Sequence, residues 1–243
     1  MHRRWAVSLV VSSASLAVLA VALFLLAACS TYLDARAEAA LRDALVRVVG
    51  PAESYDVRVV GASADGTRFE QVRFVGRRIA RANAPVVDRL ELDLHGVVVD
   101  RREKVLTAVG ATHAELRLRG ADLADYLRQS GWIADPSVVF NAPDRIVIAG
   151  TPRLAGIALA IGDGAEFQGR LFASGSQLRL GVDRVRIGAS TAAPLLRAVI
   201  ERAINPLLDV SAYPLPARID AVDAGDDNLR LVASGSRLPT PAP

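Results

Sequence analysis

The residue whose surroundings most clearly indicate a chemical reaction is Cys29, the only cysteine in the 243 residues. It closes the run Leu26-Ala27-Ala28-Cys29, which follows an uncharged stretch from Trp5 to Ala28 and a basic start at Arg3 and Arg4. A basic start, an apolar stretch and small residues before a cleavage point are typical of an export signal. A cysteine directly after Leu-Ala-Ala matches the bacterial lipobox, in which the sulfur is acylated and the mature chain begins at the cysteine. We therefore predict lipidation at Cys29 and a lipoprotein signal peptide over residues 1–28.

The same leader has a second interpretation. Its apolar run of about 23 residues is long enough to span a bilayer as an uncleaved helix. Both interpretations attach the chain to a membrane by its N-terminus. Both also place it outside the cytoplasm, facing the periplasm or the cell exterior.

Other residues that carry chemistry are few. His95 and His113 share no segment with a second histidine at metal-ligand spacing, so no metal site is predicted. The serines of Ser174-Gly175-Ser176 and Ser234-Gly235-Ser236 lack the Gly-x-Ser-x-Gly pattern of a nucleophile elbow and are interpreted as turn serines. The sequence therefore predicts a protein that is not an enzyme and needs no cofactor.

The charge balance argues against a nucleic-acid partner. The chain has 29 Lys and Arg against 26 Asp and Glu. Arg3 and Arg4 belong to the leader, so the chain from Cys29 onwards is almost neutral. A nucleic-acid binder needs a concentrated positive field, which this composition does not provide on average.

The hydrophobic pattern after the anchor changes from helical to extended. Leu33, Ala37, Leu41 and Leu45 recur every four residues and predict a helix with one narrow apolar stripe, ended by Gly50-Pro51. Strict alternation of apolar and polar residues then recurs in segments that begin at Arg89, Glu115, Arg145, Gln177, Arg184 and Asn228. Alternation with a period of two predicts strands that have one buried and one wet face, in a mainly antiparallel sheet.

Turn residues and two helical segments complete the predicted order of elements. Short turns predict hairpins at residues 64–67, 162–164 and 224–228. One helix is predicted from Gly120 to Leu127, directly after a strand. A longer one is predicted from a cap at Ser190 or Thr191 through Ile204, and Asn205-Pro206 breaks it. The predicted fold class is α+β, a strongly curved, mainly antiparallel sheet wrapped around a long helix.

The strands offer more apolar face than about three helices can cover. We expect the remainder to form an elongated aliphatic groove suited to an acyl chain. The alternative is that helices and sheet fill each other and no cavity exists, since a sequence pattern shows a buried face but not a void. The candidate lipid-binding residues share an apolar position on a strand or on the long helix: Leu92, Leu94, Leu116, Leu118, Ile146, Ile148, Ile157, Leu159, Leu178, Leu180, Leu196 and Ile200.

Three stretches of the chain resemble a known family. They are an alternating strand that ends in Gly-Val (Leu92 to Val97), a strand that runs directly into a short helix (Glu115 to Leu127), and a proline-bracketed lead-in to a last hairpin (Tyr213 to Val222, then Leu229 to Leu231). In this order they resemble the LmeA-like phospholipid-binding family of bacterial envelope proteins. The resemblance implies a tubular-lipid-binding-like architecture, phospholipid held in an apolar tunnel and a role in envelope homeostasis.

Together these observations predict one lipid-binding domain over residues 29–236, followed by a disordered proline-rich tail over residues 237–243. Its function would be to hold phospholipid or another acyl lipid, in transport or in envelope homeostasis. Two other functions stay open. One is a structural lipoprotein that binds another envelope protein through its sheet surface, and the other is an envelope hydrolase with a dispersed site.

Overall fold

The computed structural model describes residues 38–236 except 40, 48, 64, 101, 104, 155–156, 159–163, 188–189, 192–193, 213–216 and 226. Cys29, Leu159 and the tail 237–243 therefore lie outside the described residues. Ile157 and Leu196 are described by their backbone alone. The three domain boundaries stay predictions.

The described chain begins with helical residues within 38–49, here α1, and continues mainly as strands. The other two α-helices are α2 (Gly120–Gln129) and α3 (Pro194–Ile204), and a 3-10 turn spans Val210–Ala212. The strands are β1 (Ser54–Ala62), β2 (Arg68–Ile79), β3 (Val87–Asp100), β4 (Val105–Ala108), β5 (Ala111–Arg119), β6 (Ile133–Asn141), β7 (Arg145–Leu154), β8 (Ile157–Ala158), β9 (Ala165–Ser174), β10 (Gln177–Ile187), β11 (Ser190–Thr191), β12 (Leu208–Asp209), β13 (Arg218–Ala224) and β14 (Asn228–Ser236).

The strands form two antiparallel sheets. The first has the order β1-β2-β3-β5-β14-β13, with β4 paired to β3. The second has the order β11-β10-β9-β7-β6, with β12 paired to β10 and β8 paired to β7. One of the two sheets curls into a half-barrel. The predicted α+β fold with curved antiparallel sheet is confirmed.

The period-two pattern of the sequence gives each sheet one apolar face, and the apolar faces of the two sheets form one core. In β3, Leu90, Leu92 and Leu94 are buried, and the polar residues between them face outwards. Apolar side chains of both sheets belong to a single continuous cluster, which also takes in Leu41 and Leu45 of α1. Burial of these faces away from water, at about 25 cal/mol per Å² of apolar surface, is the main force holding the sheets together.

The hairpin predictions had mixed outcomes. β1 pairs antiparallel with β2, and β13 with β14, as the hairpins predicted around residues 64–67 and 224–228 require. The hairpin predicted around residues 162–164 is wrong in its pairing, because β9 pairs with the Arg145–Gly150 part of β7. In the described part of the predicted partner segment, Leu154 ends β7 and Ile157–Ala158 form β8, which pairs with the end of β7.

Helix α3 is shorter than the sequence pattern predicted, and the long helix around which the sheet was expected to wrap is not seen among the described residues. Ser190 and Thr191 pair with β10 as β11, so α3 starts at Pro194 and has 11 residues. Its end is fixed by Asn205, whose side-chain amide donates to the Leu180 carbonyl (2.8 Å) and accepts from the Leu180 N–H (2.7 Å). This mimics a strand pairing and ties the helix end to β10. None of the helices in the described part of the chain is long and apolar enough to span a membrane.

Helix α2 follows β5 without a loop, as the sequence predicted, and packs on β6. Gly120 permits this close approach. A Cβ atom at this position would lie 2.5 Å from the carbonyl oxygen of Val138, well inside van der Waals contact.

On the outer face of the first sheet, Glu115 joins two strands. Its carboxylate accepts from Arg117 of β5 (2.9 Å) and from Arg230 of β14 (2.7 Å). Hydrogen bonding from Arg230 is the main cause that lowers the pKa of Glu115 to about 2, although burial opposes it. The carboxylate therefore stays charged, and bridges the strands, over most of the acidic range.

We predict that Glu115→Gln removes an acid-sensitive part of the stability. Because folding lowers the pKa from 4.5 to about 2, the contribution of Glu115 is complete above the ordinary pKa and is lost as the pH falls through the folded one. Urea unfolding should show wild type more stable than Glu115→Gln at pH 7, with a difference that shrinks below about pH 4.5. Glu70→Gln, at an exposed carboxylate of β2, is the control. Parallel stability curves for wild type and Glu115→Gln across this range would contradict the prediction.

Candidate functional site

The inner face of the first sheet loses side-chain volume along two neighbouring strands. On β5 the buried positions run from Leu118 and Leu116 to Ala114 and Thr112. On β14 they run from Leu229 and Leu231 to Ala233, and Gly235 follows at the next alternate position. The small residues face one another, because Ala114 pairs with Ala233 and Thr112 pairs with Gly235. The paired small residues leave a groove in an otherwise leucine-filled face.

An apolar cavity of about 20 Å³ lies over this groove. It has room for about one water molecule. The residues around it are Leu90, Leu92, Thr112, Ala114, Leu116 and Ala233 on the sheet, with Val210 and Ala217 from the segment that leads into β13. We refer to Val210 and Ala217 as the roof of the cavity.

Both sides of the roof are tied to the turn between β9 and β10 of the second sheet. The N–H of Val210 donates to the carbonyl of Ser176 (2.9 Å), and the N–H of Ile219, two residues after Ala217, donates to the carbonyl of Gly175 (2.9 Å). The cavity therefore lies between a floor made by the first sheet and a roof attached to the second.

Asp209 organises the attachment of the roof. Its carboxylate accepts from the hydroxyls of Ser176 (2.9 Å) and Ser211 (2.6 Å) and from the side-chain amide of Gln177 (3.2 Å). Burial disfavours the charged form, but the hydrogen bonds from Ser211, Ser176 and Gln177 outweigh it and lower the pKa of Asp209. A charged carboxylate at neutral pH therefore holds the 3-10 turn against the second sheet.

Thr112 is the polar group of the cavity. It is 4% exposed, and its hydroxyl oxygen has no hydrogen-bond partner among the described residues. An unpaired buried hydroxyl costs about 1–3 kcal/mol. A hydroxyl in an apolar cavity can form a hydrogen bond with a polar atom of a ligand, either as donor or as acceptor.

The predicted lipid-binding residues fall into three groups. Leu92 and Leu116 contact the cavity. The core buries Leu94, Leu118, Ile146, Ile148, Leu178, Leu180 and Ile200, which are not among the residues lining this cavity. No side-chain position is described for Ile157, Leu159 or Leu196. The lipid-contacting role of these residues stays a prediction.

The sequence analysis missed most of the cavity lining. Leu90, Ala114 and Ala233 continue the alternation of the residues that it selected. The apolar–polar pattern could therefore have identified them as inward-facing. Val210 and Ala217 had no such signal, because they lie outside regular strands and reach the cavity through the tertiary fold. Among the described residues, no group of His, Cys, Asp and Glu is placed to hold a metal ion.

A family comparison adds independent information. Residues 26–234 match the model of a family described as LmeA-like phospholipid-binding. The chain belongs to this family. No curated protein and no solved structure matches it. The resemblance seen in the sequence is confirmed, and the family is one of lipid-binding proteins rather than a known enzyme family.

We predict that Thr112→Val leaves the lipid-free protein as stable as wild type or makes it more stable. Valine has nearly the shape of threonine and removes a hydroxyl that has no partner. The control is Thr107→Val, because the Thr107 hydroxyl donates to the carbonyl of Val98 (3.2 Å). Its loss should cost about 0.5–1.5 kcal/mol. Urea unfolding of delipidated protein measures both, and equal losses in the two variants would contradict the prediction.

Proposed function

We propose that this protein is a membrane-tethered envelope protein that holds the acyl chains of a phospholipid between its two sheets. Membership of the LmeA-like family supports lipid binding. The observation that carries the site is the apolar cavity over Ala114 and Ala233, where the floor is lined by small residues in the middle of a leucine-rich face. The protein acts by binding and shielding the lipid rather than by reacting with it.

In this proposal an acyl chain enters by displacing the roof. Ligand pockets for small molecules measure about 300–1,000 Å³, far more than the cavity of about 20 Å³ that the closed arrangement leaves. Val210 and Ala217 would move away from the floor while their segment stays attached to the second sheet. The acyl chain would then take their place against Leu92 and Leu116. Each methylene removed from water contributes about 0.8 kcal/mol, which offsets the loss of the roof contacts.

Thr112 supplies the polar contact in this arrangement. Its hydroxyl donates a hydrogen bond to an ester carbonyl of the lipid, which lies at the top of each acyl chain. An unpartnered hydroxyl in the lipid-free protein becomes satisfied on binding. This explains why a buried polar atom lies in an apolar lining.

We predict that Ala233→Leu blocks lipid uptake. The larger side chain fills the groove floor where the acyl chain would lie, and the overpacking should cost about 1–3 kcal/mol of stability. The control is Ala221→Leu, at an exposed alanine of β13 that pairs with Val232 of the neighbouring strand. Uptake of a fluorescent phospholipid by folded protein, checked by circular dichroism, measures the effect. Equal uptake by folded Ala233→Leu and Ala221→Leu would argue against the groove.

The small size of the cavity favours one second candidate. A lipoprotein with a filled core could use the outer surface of its sheets to hold another envelope protein. Native mass spectrometry after mild extraction separates the two functions. Co-purified phospholipid supports the lipid-binding proposal, whereas its absence, together with no uptake of added lipid, supports the structural role.

The tether is proposed from the leader alone. Acylation of Cys29 after export would anchor the domain to a membrane, facing the periplasm or the cell exterior, and an uncleaved span over residues 1–28 is the alternative. The partners are then phospholipid and the membrane, with no nucleic acid.

We predict that Cys29→Ser leaves an unprocessed precursor. A hydroxyl cannot replace the thiolate as the acylated nucleophile, so lipid modification and cleavage before residue 29 both fail. Mass spectrometry of the purified chain, compared with a Ser30→Ala control, measures this outcome. A wild-type chain that keeps its first 28 residues would support the uncleaved span instead.

A further inference from the structure

Four arginines lie side by side across the outer face of the first sheet. Arg77 of β2 pairs with Arg89 of β3, Arg89 pairs with Arg117 of β5, and Arg117 pairs with Arg230 of β14. Like charges directly opposite one another destabilise neighbouring strands. A row of this kind therefore needs compensating negative charge, from the protein or from a ligand.

Part of this row opens into a depression of about 490 Å³. Five arginines and two carboxylates line it: Glu53, Arg77, Arg78, Asp88, Arg89, Arg117 and Arg119. We refer to it as the arginine pocket. Its lining carries an excess of positive charge, unlike the nearly neutral chain as a whole.

Carboxylates hold several of these arginines in place. Asp88 forms an ion pair with Nη2 of Arg119 at 2.6 Å and lies 3.8 Å from Nη1 of Arg78. Asp122 of α2, with a side chain only 8% exposed, pairs with the same Arg78 nitrogen at 2.5 Å. A guanidinium has five N–H donors, so a contact through one nitrogen leaves others for a ligand. The carboxylates therefore orient the arginines without using all their donors.

Two arginines of the pocket have incomplete contacts within the described residues. Arg77 is exposed and makes no ion pair among them. The Nε atom of Arg89 is buried and lies 2.7 Å from a Glu91 oxygen, yet it makes no hydrogen bond of acceptable geometry. Both side chains belong to the charged row and line the same depression.

The backbone adds a second indication of function. Arg78 has φ of 54°, in the left-handed region that non-glycine residues seldom adopt. Such conformations cost of order 1–3 kcal/mol and tend to cluster at functional sites. Here the unusual backbone places Arg78 beside Asp122, at the edge of the depression.

We propose that the arginine pocket binds a phosphate group. Planar guanidinium groups recognise phosphate oxygens through paired N–H donors, and several converge on one depression. Arg89 and Arg117 point outwards, while their neighbours Leu90 and Leu116 line the apolar cavity on the opposite face. The bound phosphate is therefore separate from the acyl-chain site, and the proposal goes beyond the function proposed above.

The phosphate has two possible sources that share this chemistry, a phospholipid headgroup and a soluble phosphate. Isothermal titration calorimetry on the full chain in neutral maltoside micelles distinguishes them. The probes are inorganic phosphate, glycerophosphoglycerol and dihexanoylphosphatidylglycerol, with dihexanoylphosphatidylcholine for comparison. Equal binding of the soluble probes and the anionic lipid assigns the site to free phosphate compounds, and stronger binding of the anionic lipid assigns it to a headgroup.

The variant for this test is Arg77→Glu, and its matched control is Arg73→Glu. Both arginines are exposed on β2, but Arg73 lies outside the pocket. Arg77→Glu should weaken phosphate binding by about tenfold or more, while Arg73→Glu leaves it nearly unchanged. Added salt should weaken the wild-type interaction.

Unfolding temperatures show whether both variants fold, and Arg77→Gln replaces Arg77→Glu if the latter does not. The proposal is overturned if none of the phosphate-containing probes binds the wild-type protein, or if the two substitutions weaken binding equally.

Discussion

The arrangement of the interior depends on one constraint, the volume of the side chains that β5 and β14 turn towards the core. Both strands present leucine at one end, and both change to alanine and other residues smaller than leucine at the other. Because antiparallel pairing aligns Ala114 with Ala233, the losses of volume add at one place instead of being compensated across strands. Protein interiors otherwise pack to nearly crystalline density, so an element from outside this sheet must cover the gap.

That element is a segment attached to the second sheet, and it relates the fold to the proposed function. Val210 covers the groove, and the turn between β9 and β10 holds Val210 through a hydrogen bond and through Asp209. The floor is a broad apolar face, whereas the roof is a short segment held by a few polar contacts. A neutral hydrogen bond contributes only about 0.5–1.5 kcal/mol, and one to a charged carboxylate such as Asp209 about 1.5–3 kcal/mol. The roof is therefore the part of the enclosure that a ligand can displace at least cost.

The two faces of the first sheet carry different side chains because strand residues alternate. Leu90 and Leu116 contribute to the apolar cavity, and the adjacent Arg89 and Arg117 contribute to the arginine pocket. Glu115 stabilises the outer face by bridging β5 and β14, and its low pKa keeps that bridge charged. A change in charge on the outer face can thus be made without altering the apolar side chains within, which lets the two proposed sites be tested separately.

The sequence alone determined most of the long strands and their buried faces, the strand-to-helix junction at Gly120 and the family, because alternation, turn residues and short motifs are local properties. It also predicted part of the cavity lining, through Leu92 and Leu116. It did not predict β6 or β11. It could not determine that β9 pairs with β7, that Asn205 binds the backbone of Leu180, or that Val210 and Ala217 cover the groove. These features join residues far apart in the chain, and the free energy that selects them comes from packing and hydrogen bonding between elements rather than from any pattern within one. Whether an apolar face is filled or leaves a cavity was therefore decided only by the tertiary structure.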